Sequence, residues 1–582
     1  MQYYFDKPLI VQGDFTAMLE VHHPSFETVR RGLAQFADLE KSPEHIHSYR
    51  ITPLSLWNAA ATGMQSAEVI NFLEENIKFP LPENVRQDIV SYMDRYGLVK
   101  LLAKLPELSA LGRLEADLGQ NYLYLYSHDL PTITAIAAHK ETKGLFNGSI
   151  GQHVLLVPAG KRGLVKQALA KIGYPVEDLA GYREGEVLTM ALKKTTSGGA
   201  PFELRQYQRQ AAELFYADGA ENGGSGVLVL PCGAGKTVIG LGVMSLAQTN
   251  VLILTTSTTA VRQWVREILD KTTLTADEVG EYSSEAKNIC PVTVSTYQMI
   301  TYRSKTDNTF PHFEIFNARE WGLIIYDEVH TLPAPVFQIT SELQAMRRLG
   351  LTATLVREDK RESDVFTLIG PKKIDVPWRE LESQGWIAEA MCIEVRVPLD
   401  FATRLECAKS PERTAYRLEA ENPNKMQAVA DIITKHQGEG ILVIGQYIKQ
   451  LTALSEYLNA PLLTGKTPNA KREKLYEEFR AGEIKILVVS KVANFAVDLP
   501  DASVGIEVSG AFGSRQEEAQ RLGRILRPKG DGRGAHFYSV VSKDSREQEF
   551  ARHRQLFLAE QGYRYEILDY ALTSKAPAKG DG

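Results

Sequence analysis

Short runs of consecutive apolar residues recur along the chain, and they are Val227–Leu230, Val251–Leu254, Leu323–Tyr326, Ile441–Ile444 and Ile486–Val489. None shows the apolar–polar alternation of a half-exposed strand, and each precedes polar or glycine-rich residues and then a helical pattern. Such runs are typical of buried parallel strands in α/β units. Because they fall into two groups, the pattern predicts two tandem parallel-sheet domains, over residues 199–380 and 381–572.

The residues upstream of these runs show a different pattern. The stretch Ile51–Gly63 has Thr52 as an N-terminal cap, Pro53 at the first helical position and a glycine at its end. Two further helical patterns begin at Ser66 and Pro82. Three short helices followed by the apolar LVKLL stretch predict a small, winged-helix-like domain over residues 1–108.

A second small module is predicted over residues 109–198. Strand-like stretches occur at Tyr122–Tyr126, Val154–Val157 and Val187–Leu192, with a helical pattern near Lys161–Ile172. This mixture indicates a small α/β module. The sequence KTTSGGAP at Lys194–Pro201 predicts a linker, and residues 573–582 predict a disordered tail. The fold class predicted for the whole chain is therefore α/β, with two small modules before two parallel-sheet domains.

Composition agrees with a multidomain globular protein. The 582 residues correspond to roughly four domains at ~150 residues each, and 44% hydrophobic with 24% charged residues excludes a disordered or fibrous chain. The four cysteines show no CxxC spacing, which excludes a disulfide scaffold and disfavours a zinc site. We find neither a signal-peptide pattern nor an apolar run of about 18–20 residues, so we expect a cytoplasmic protein without a membrane segment.

The strongest chemical signal is LPCGAGKT at Leu230–Thr237, after the first apolar run and before a helical pattern. Leu230 stands where the strict phosphate-loop pattern has glycine, but the GxGKT core is intact. The backbone N–H groups around Gly233, Ala234 and Gly235 can close around phosphate at the positive end of the next helix. Lys236 adds a charge for the β- and γ-phosphates, and the Thr237 hydroxyl can ligate Mg²⁺. The alternative is a glycine-rich strand-to-helix turn without a ligand.

A carboxylate pair, Asp327 and Glu328, follows the third apolar run in the sequence LIIYDEVH. Asp327 at that strand end can hold Mg²⁺ together with Thr237, and Glu328 can orient and deprotonate the attacking water. An isolated Asp-Glu pair usually lies in a solvated loop. Downstream of a phosphate loop, the pair indicates an ATPase.

A third element, SRQEEAQRLGRILRPK, places basic residues at helical spacing. Gln520 precedes Arg524 and Arg527, and the two arginines lie at i and i+3, so both project from one helix face. Arginines held in this way can stabilise the developing charge on a γ-phosphate. A solvated basic helix is the alternative. Arginines in one α/β domain and an ATP site in the other imply a cleft that closes on nucleotide.

Taken together, LRQYQ, LPCGAGKT, STYQM, DEVH, LTAT, SKVANFAVDLP and QRLGRILR resemble the motifs of superfamily 2 helicases. The contexts WGLIIYDEVHTLPA, LGLTATLVRED, NPNK and QGYRYEIL resemble the XPB family of DNA repair helicases. Upstream, YRITPLSLWNAAATGMQSAEVINFLEE resembles the family's N-terminal domain and KQALAKIGYPVEDLAGY its damage-recognition domain. The resemblance covers about residues 45–570 and implies RecA-like motor domains, ATP and Mg²⁺ as cofactors, and DNA as the partner.

The resemblance also assigns roles to positions of this chain. Gln208, with Arg205, matches the residue that reads adenine, and Thr352 and Thr354 match the motif that couples nucleotide state to DNA. Gln520, Arg524 and Arg527 match the arginine-finger motif. The positions expected to track the DNA strand are Thr256, Thr296, Tyr297, Thr464, Ser490 and Lys491. Polar groups in such loops grip phosphates without reading bases, so we expect no sequence specificity.

The triplet Arg357, Glu358 and Asp359 directly follows LTATLV. At that position it matches the family's RED motif, which is associated with duplex separation. A charged surface loop is the alternative for any isolated RED string. Departures from the family pattern also occur: Ala493 and Asn494 replace the Gly and Asp of relatives, and the stretch Pro398–Asn422 is too short for a full thumb-like insertion.

The leading hypothesis is an ATP-dependent 3′-to-5′ DNA helicase acting in repair on forked, bubble or damaged duplex. A non-processive double-strand translocase and a DNA-binding scaffold with a vestigial motor are the alternatives, and the motifs alone do not distinguish DNA from RNA. The resemblance implies a compact, monomeric member, and some relatives work with a nuclease. The net charge of −6 does not exclude DNA, because basic residues crowd into residues 515–533. We expect weak, salt-sensitive DNA binding.

Overall fold

The computed structural model describes residues 4–41, 45–104, 122–220, 223–231, 233–304, 310–333, 336, 340, 346–353, 362–376, 381–382, 384, 386, 390–490, 502–510, 534–560 and 565–571. The chain divides into two compact units. The first unit comprises residues 1–375 without 231–234, and the second comprises residues 376–582 together with 231–234.

The first module of unit one combines an antiparallel sheet with helices. In the described residues the sheet order is β1-β2-β4-β3. Its elements are β1 (Leu9–Val11), β2 (Thr16–Glu20), α1 (Phe26–Leu33), β3 (Asp38–Lys41), β4 (Ile46–Arg50), α2 (Pro53–Ala61), α3 (Ser66–Asn76) and α4 (Glu83–Asp94). The three predicted helices are present, and the Thr52 side chain caps α2 by accepting a hydrogen bond from the Ser55 N–H. The sheet was not part of the sequence prediction.

The second module has a mixed five-stranded sheet, ordered β7-β8-β6-β5-β9 within the described residues. Its elements are β5 (Val99–Leu102), β6 (Tyr122–Tyr126), α5 (Leu130–Ala138), β7 (Ser149–Ile150), β8 (Val154–Pro158), the 3₁₀ turn Ala159–Lys161, α6 (Arg162–Lys171) and β9 (Val176–Leu179). We expected Val99–Leu102 to close the first module, but it pairs with β6 and β9 instead. The core beneath this sheet is formed by both helices, with Ile133, Ile136, Val165 and Leu169 fully or nearly fully buried.

The segment between the second module and the first motor domain runs along the first motor sheet. The predicted strand Val187–Leu192 does not form; it makes only isolated bridges to Thr249 and Thr272. The predicted linker is a hydrogen-bonded turn, in which the Thr196 N–H donates to the Ala200 carbonyl over 2.8 Å. The two isolated bridges tie the segment to loops at the amino-terminal edge of the sheet.

The first motor domain is built on a parallel sheet with the described order β12-β13-β11-β14-β15-β10-β16. Its elements are α7 (Gln206–Tyr216), the 3₁₀ turn Ala217–Gly219, β10 (Ser225–Val229), α8 (Lys236–Ala247), β11 (Val251–Thr255), α9 (Thr258–Lys271), β12 (Val279–Tyr282), β13 (Val292–Thr296), α10 (Tyr297–Ile300), the 3₁₀ turns Pro311–Asn317 and Val329–Thr331, β14 (Leu323–Asp327), β15 (Arg347–Thr352), α11 (Glu362–Leu368) and β16 (Lys372–Asp375).

The three apolar runs predicted in this domain are the central strands β10, β11 and β14, and their apolar side chains are almost entirely buried. Every described pairing in the sheet is parallel. The carboxyl ends of its strands therefore meet at one edge, which is where α/β proteins bind ligands. That edge carries the phosphate loop, Asp327 and Thr352.

The second unit holds another all-parallel sheet, ordered β19-β20-β18-β21-β22-β17-β23 in the described residues. Its elements are β17 (Ala390–Val397), α12 (Phe401–Lys409), α13 (Glu412–Ala420), α14 (Lys425–Lys435), β18 (Ile441–Gly445), α15 (Ile448–Leu458), β19 (Leu462–Leu463), α16 (Asn469–Arg480), β20 (Ile486–Ser490), β21 (Val504–Glu507), β22 (Ala535–Ser542), α17 (Arg546–Glu560) and β23 (Tyr565–Asp569). The two apolar runs predicted here are β18 and β20, which confirms the second parallel-sheet domain.

Candidate functional site

The phosphate loop joins β10 to α8. Gly233 and Gly235 adopt φ angles of 84° and 79°, in the left-handed region that glycine enters without a steric penalty. A Cβ atom on Gly235 would lie 2.6 Å from Nε2 of Gln208. The tight loop therefore leads directly into the N-terminus of α8, whose free N–H groups favour an anion.

Lys236 and Glu328 form an ion pair at this edge of the sheet. Nζ of Lys236 lies 2.6 Å from Oε1 of Glu328, and the two side chains are only 13% and 18% exposed. Although burial favours the neutral acid, the lysine charge holds the pKa of Glu328 below its ordinary value. Glu328 is therefore ionised, as a base that deprotonates water must be.

Asp327 is fixed at the end of β14 by two donors. Its Oδ2 accepts a 2.9 Å hydrogen bond from Nε1 of Trp264, and its Oδ1 accepts a 3.0 Å bond from the Glu328 N–H. Burial, reinforced by the neighbouring charge of Glu328, raises the pKa of Asp327 to about 6. A bound cation would reverse this shift, because it stabilises the carboxylate.

Glu328 itself lies in an unusual backbone conformation, with φ 50° and ψ 52°. A non-glycine residue in the left-handed region costs of order 1–3 kcal/mol and is held there only by its surroundings. Here the surroundings are the Lys236 ion pair and the 3₁₀ turn that follows, in which the Thr331 N–H and Oγ1 both donate to the Glu328 carbonyl over 2.8 Å. The strained turn aims the carboxylate back toward the phosphate loop.

A polar chain continues from Glu328 to the next strand. Nδ1 of His330 lies 3.5 Å from Oε2 of Glu328 and 2.6 Å from Oγ1 of Thr352, at the end of β15. The Thr352 carbonyl accepts a 2.9 Å bond from the N–H of Leu230, which begins the phosphate loop. The predicted coupling residue Thr352 is thus linked both to Glu328, the predicted base, and to the phosphate loop.

The predicted adenine-reading pair lies at the start of α7. The side chain of Gln208 is buried, and its Oε1 accepts a 3.0 Å hydrogen bond from the Arg205 N–H. Because Nε2 of Gln208 approaches Gly235, the pair lies next to the phosphate loop. This placement suits residues that hold a nucleotide.

The donor set fits Mg²⁺ bound together with nucleotide phosphates. Thr237 lies in the first turn of α8 and Asp327 at a neighbouring strand end. Among the described residues, no three His, Cys, Asp or Glu side chains converge to hold a metal ion by themselves. Mg²⁺ at nucleotide sites typically uses one or two protein ligands, water and substrate phosphates, so these two residues would suffice.

The predicted strand-tracking residues of the first motor domain lie at the same edge. Thr256 follows β11, and Thr296 ends β13, where its hydroxyl caps α10 by accepting from the Met299 N–H. Tyr297 is 2% exposed, and its hydroxyl donates a 2.9 Å bond to the Asp327 carbonyl. In this structure its side chain supports the strand end that carries Asp327, and its predicted contact with DNA stays a prediction.

In the second motor domain, Thr464 follows β19, and its N–H is bonded to the Thr467 hydroxyl over 3.0 Å. Ser490 ends β20; its buried Oγ has no hydrogen-bond partner within the described part of the chain. The remaining predicted positions lie outside the described residues and stay predictions: Thr354, Arg357, Glu358, Asp359, Lys491, Gln520, Arg524 and Arg527.

Sequence reasoning missed two residues of this site. His330 is the last letter of DEVH, and its position two residues after the base was an available signal. Trp264 lies in α9, far from Asp327 in sequence, and no motif marks it. Both act on the carboxylates through side-chain contacts that only the fold reveals.

Comparisons with known proteins place these motifs in context. Residues 381–578 match the profile described as "ERCC3/RAD25/XPB C-terminal helicase", residues 201–357 that of "Type III restriction enzyme, res subunit", and residues 9–148 that of "Helicase conserved C-terminal domain". The chain is 50% identical to "DNA 3'-5' helicase XPB" of Kineococcus radiotolerans, over 97% of each chain. The protein of the same name from Mycobacterium tuberculosis is also 50% identical, over 97% of this chain and 98% of that protein.

A more distant relative is the Saccharomyces cerevisiae "General transcription and DNA repair factor IIH helicase/translocase subunit XPB/SSL2". It is 31% identical over 97% of this chain and 72% of the yeast protein. Across the residues that the structure describes, no helix combines the length and apolarity required to span a bilayer.

Proposed function

Because the chain belongs to the XPB family of helicases, we propose that it is an ATP-dependent 3′-to-5′ DNA helicase that opens duplex DNA in repair. The observation that carries this proposal is the polar chain from Lys236 through Glu328 and His330 to Thr352. It joins a phosphate-binding lysine and a base to a strand end that matches the family's coupling motif. The near-full-length identity to proteins named DNA 3'-5' helicase supports the choice of DNA and polarity.

The proposed hydrolytic roles combine the family resemblance with the contacts of the described residues. Gln208 and Arg205 hold the adenine, and the glycine loop with Lys236 holds the phosphates. Glu328 orients the attacking water and takes its proton, since its ionised carboxylate has a buried Oε2 that accepts no hydrogen bond among the described residues. Arg524 and Arg527 are proposed to neutralise charge on the γ-phosphate.

Thr237 and Asp327 would hold Mg²⁺, which when bound neutralises phosphate charge. Asp327 is oriented for this by the indole N–H of Trp264, and the Tyr297 hydroxyl fixes its backbone. Supporting partners of this kind are needed to keep a ligand in its productive orientation.

The coupling to DNA is proposed to run through Thr352. Loss of the γ-phosphate changes what Lys236 and Glu328 contact, and His330 carries that change to the end of β15. The strand-tracking positions and the triplet Arg357, Glu358 and Asp359 would convert it into strand separation. The two N-terminal modules are proposed to sense distorted duplex, as the resemblance of their sequences to the family's modules implies.

ATP hydrolysis by the purified chain, measured with and without forked DNA, tests this function. We expect Mg²⁺-dependent turnover that DNA stimulates and that Lys236→Ala abolishes. Undetectable DNA-stimulated turnover would favour a scaffold with a vestigial motor, and stimulation by RNA alone would overturn the choice of DNA. The monomeric state, the cytoplasmic location and a nuclease partner stay predictions from the family resemblance.

A further inference from the structure

Two adjacent arginines, Arg347 and Arg348, begin β15 at the edge of the sheet opposite the ATP site. Arg348 is completely buried, and its Nε donates a 2.7 Å hydrogen bond to the carbonyl of Leu368 in α11. A buried guanidinium is costly unless neighbouring groups meet both its charge and its N–H donors. The neighbourhood of Arg348 therefore shows what the fold uses it for.

That neighbourhood belongs to the second module. The guanidinium carbon of Arg348 lies 5.6 Å from the centre of the Tyr182 ring, and the same ring lies 5.9 Å from Arg347 and 5.5 Å from Arg162 of α6. A ring shared by three guanidinium groups attracts each through its π face. Tyr182 thus joins the second module to the first strand residues of β15.

One carboxylate completes the cluster. Asp178 of β9 accepts hydrogen bonds of 2.7 and 3.0 Å from Arg162 and of 2.9 Å from Lys166. Burial lowers the pKa of Lys166 to about 8 despite this partner. Two buried cations, Arg162 and Lys166, therefore pair directly with a single acid beside the buried guanidinium of Arg348. The stability of this arrangement depends on the exact placement of each group rather than on charge balance.

The helix α11 adds a second line of contact. Its Asp364 accepts a 3.0 Å bond from Gln167 of α6, and its Phe366 ring lies 6.5 Å from the Trp57 ring of the first module. Leu368 of the same helix holds Arg348. Both N-terminal modules therefore contact α11, the helix of the motor domain that bonds to the start of β15.

The other end of β15 is Thr352. Thr352 lies four residues along the extended strand from Arg348, about 13 Å at ~3.3 Å per residue. The strand is paired on both sides, with β10 and with β14, and its residues are buried. A close-packed strand of this kind moves as one piece, so a displacement at Arg348 reaches Thr352, His330 and Glu328.

We propose that Arg348 is a positioning residue through which the second module sets the rate of ATP hydrolysis. When Tyr182 holds Arg348, β15 keeps Thr352 within reach of His330, and the base is aligned. A shift of the second module on distorted DNA changes the contact between Tyr182 and Arg348, and with it the position of β15. The inference rests on the proposed helicase function and names a route of regulation for the same site.

The test compares the full-length variants Arg348→Met, Tyr182→Leu and the double variant with the wild-type protein. Active-site titration with a non-hydrolysable ATP analogue counts folded molecules, and kcat and KM for ATP are then measured with plain and with bubble DNA. Arg30→Met is the matched control, because Arg30 is equally buried but pairs with Glu27 inside the first module.

We expect each single variant to lower kcat per folded molecule by roughly fivefold with KM unchanged. The double variant should fall no further, and the difference between plain and bubble DNA should shrink. Arg30→Met should leave kcat unchanged. If Arg348→Met does not fold, the kcat of Tyr182→Leu tests the proposal by itself. That substitution removes a half-buried ring of the second module and leaves Arg348 in place.

An unchanged kcat in Tyr182→Leu, or additive losses in the double variant, would overturn the inference. The wild-type measurements report separately on the proposed function. A wild-type protein without DNA-stimulated hydrolysis contradicts the helicase proposal, whereas normal stimulation in wild type and variants alike contradicts only the role of Arg348.

Discussion

Nζ of Lys236 lies 2.6 Å from Oε1 of Glu328, so the lysine that should bind phosphate neutralises the base that should activate water. The contact joins the phosphate loop to the end of β14 across 92 residues of sequence. ATP phosphates would compete for the same ammonium group. Nucleotide binding would thus release the Glu328 carboxylate for catalysis. Until ATP is correctly bound, the ion pair with Lys236 would keep that carboxylate from activating water.

Replacing Glu328 with Gln tests this relationship. The amide cannot take a proton, so kcat for ATP should fall by roughly 10²–10⁴-fold. ATP should bind at least as tightly as in the wild type, because Lys236 no longer has to break an ion pair with residue 328 before it binds phosphate. Steady-state hydrolysis and equilibrium binding of a fluorescent ATP analogue measure both effects. Exposed Glu285, which pairs with Arg262, provides a control as Glu285→Gln; normal turnover by Glu328→Gln would show that the base is misassigned.

The bond between Thr352 and His330 should couple hydrolysis to DNA. Thr352→Val keeps the shape of the side chain but removes the hydroxyl that lies 2.6 Å from Nδ1 of His330. We expect basal ATPase to survive while its stimulation by DNA falls severalfold. Thr293→Val is the control, because Thr293 is also buried in this sheet but its hydroxyl bonds the local backbone of Cys290. Full stimulation in Thr352→Val would argue against the coupling role.

The triplet Arg357, Glu358 and Asp359 should act after hydrolysis, in separating the strands. Changing all three to Ala should spare most of the DNA-stimulated ATPase and abolish unwinding of a forked duplex. Parallel ATPase and strand-displacement assays on one preparation compare the two activities. A triple variant that unwinds normally would leave the triplet as an ordinary charged loop.

His47 should make the first module sensitive to acid. The imidazole in β4 is buried against Phe26, and burial, helped by the charge of Arg30, lowers its pKa from an ordinary 6.5 to about 4. The unfolded chain takes up the proton first, so stability is complete above pH 6.5 and is lost as pH falls from 6.5 toward 4. The loss should reach about 3 kcal/mol.

Hydrogen–deuterium exchange over residues 46–50, compared at pH 7.5 and 5.0, measures this effect in the full chain. His47→Phe keeps an aromatic ring against Phe26 but cannot take up a proton, so it should be better protected than the wild type at pH 5.0 only. Exposed His22 supplies the control variant His22→Gln. Equal protection of His47→Phe and wild type at pH 5.0 would contradict the buried neutral imidazole.

Sequence alone predicted both parallel sheets because each central strand is a local apolar run with its own turn and helix. The antiparallel sheet of the first module escaped prediction, since a strand such as Asp38–Lys41 is mostly polar and has no apolar run to mark it. The segment 187–192 looked like a strand, but it makes only isolated bridges to loops of the motor domain.

The candidate site was likewise predicted in part. Motif spacing brought Lys236, Thr237, Asp327 and Glu328 to one strand edge, because the carboxyl ends of parallel strands must meet there. It could not show that Glu328 adopts a left-handed backbone and turns toward Lys236. Nor could it show that Tyr297 is buried under Asp327, since hydrogen bonds between distant residues depend on packing.

Strand displacement by the purified full-length chain tests the central claim most directly. A fluorescently labelled strand on forked and bubble DNA is followed with ATP and Mg²⁺, in wild type and in Glu328→Gln. We predict release of the strand by the wild type with 3′-to-5′ polarity, greater on distorted than on plain duplex, and none by the variant. ATP hydrolysis stimulated by DNA without any strand release would contradict the helicase and indicate a translocase that does not unwind.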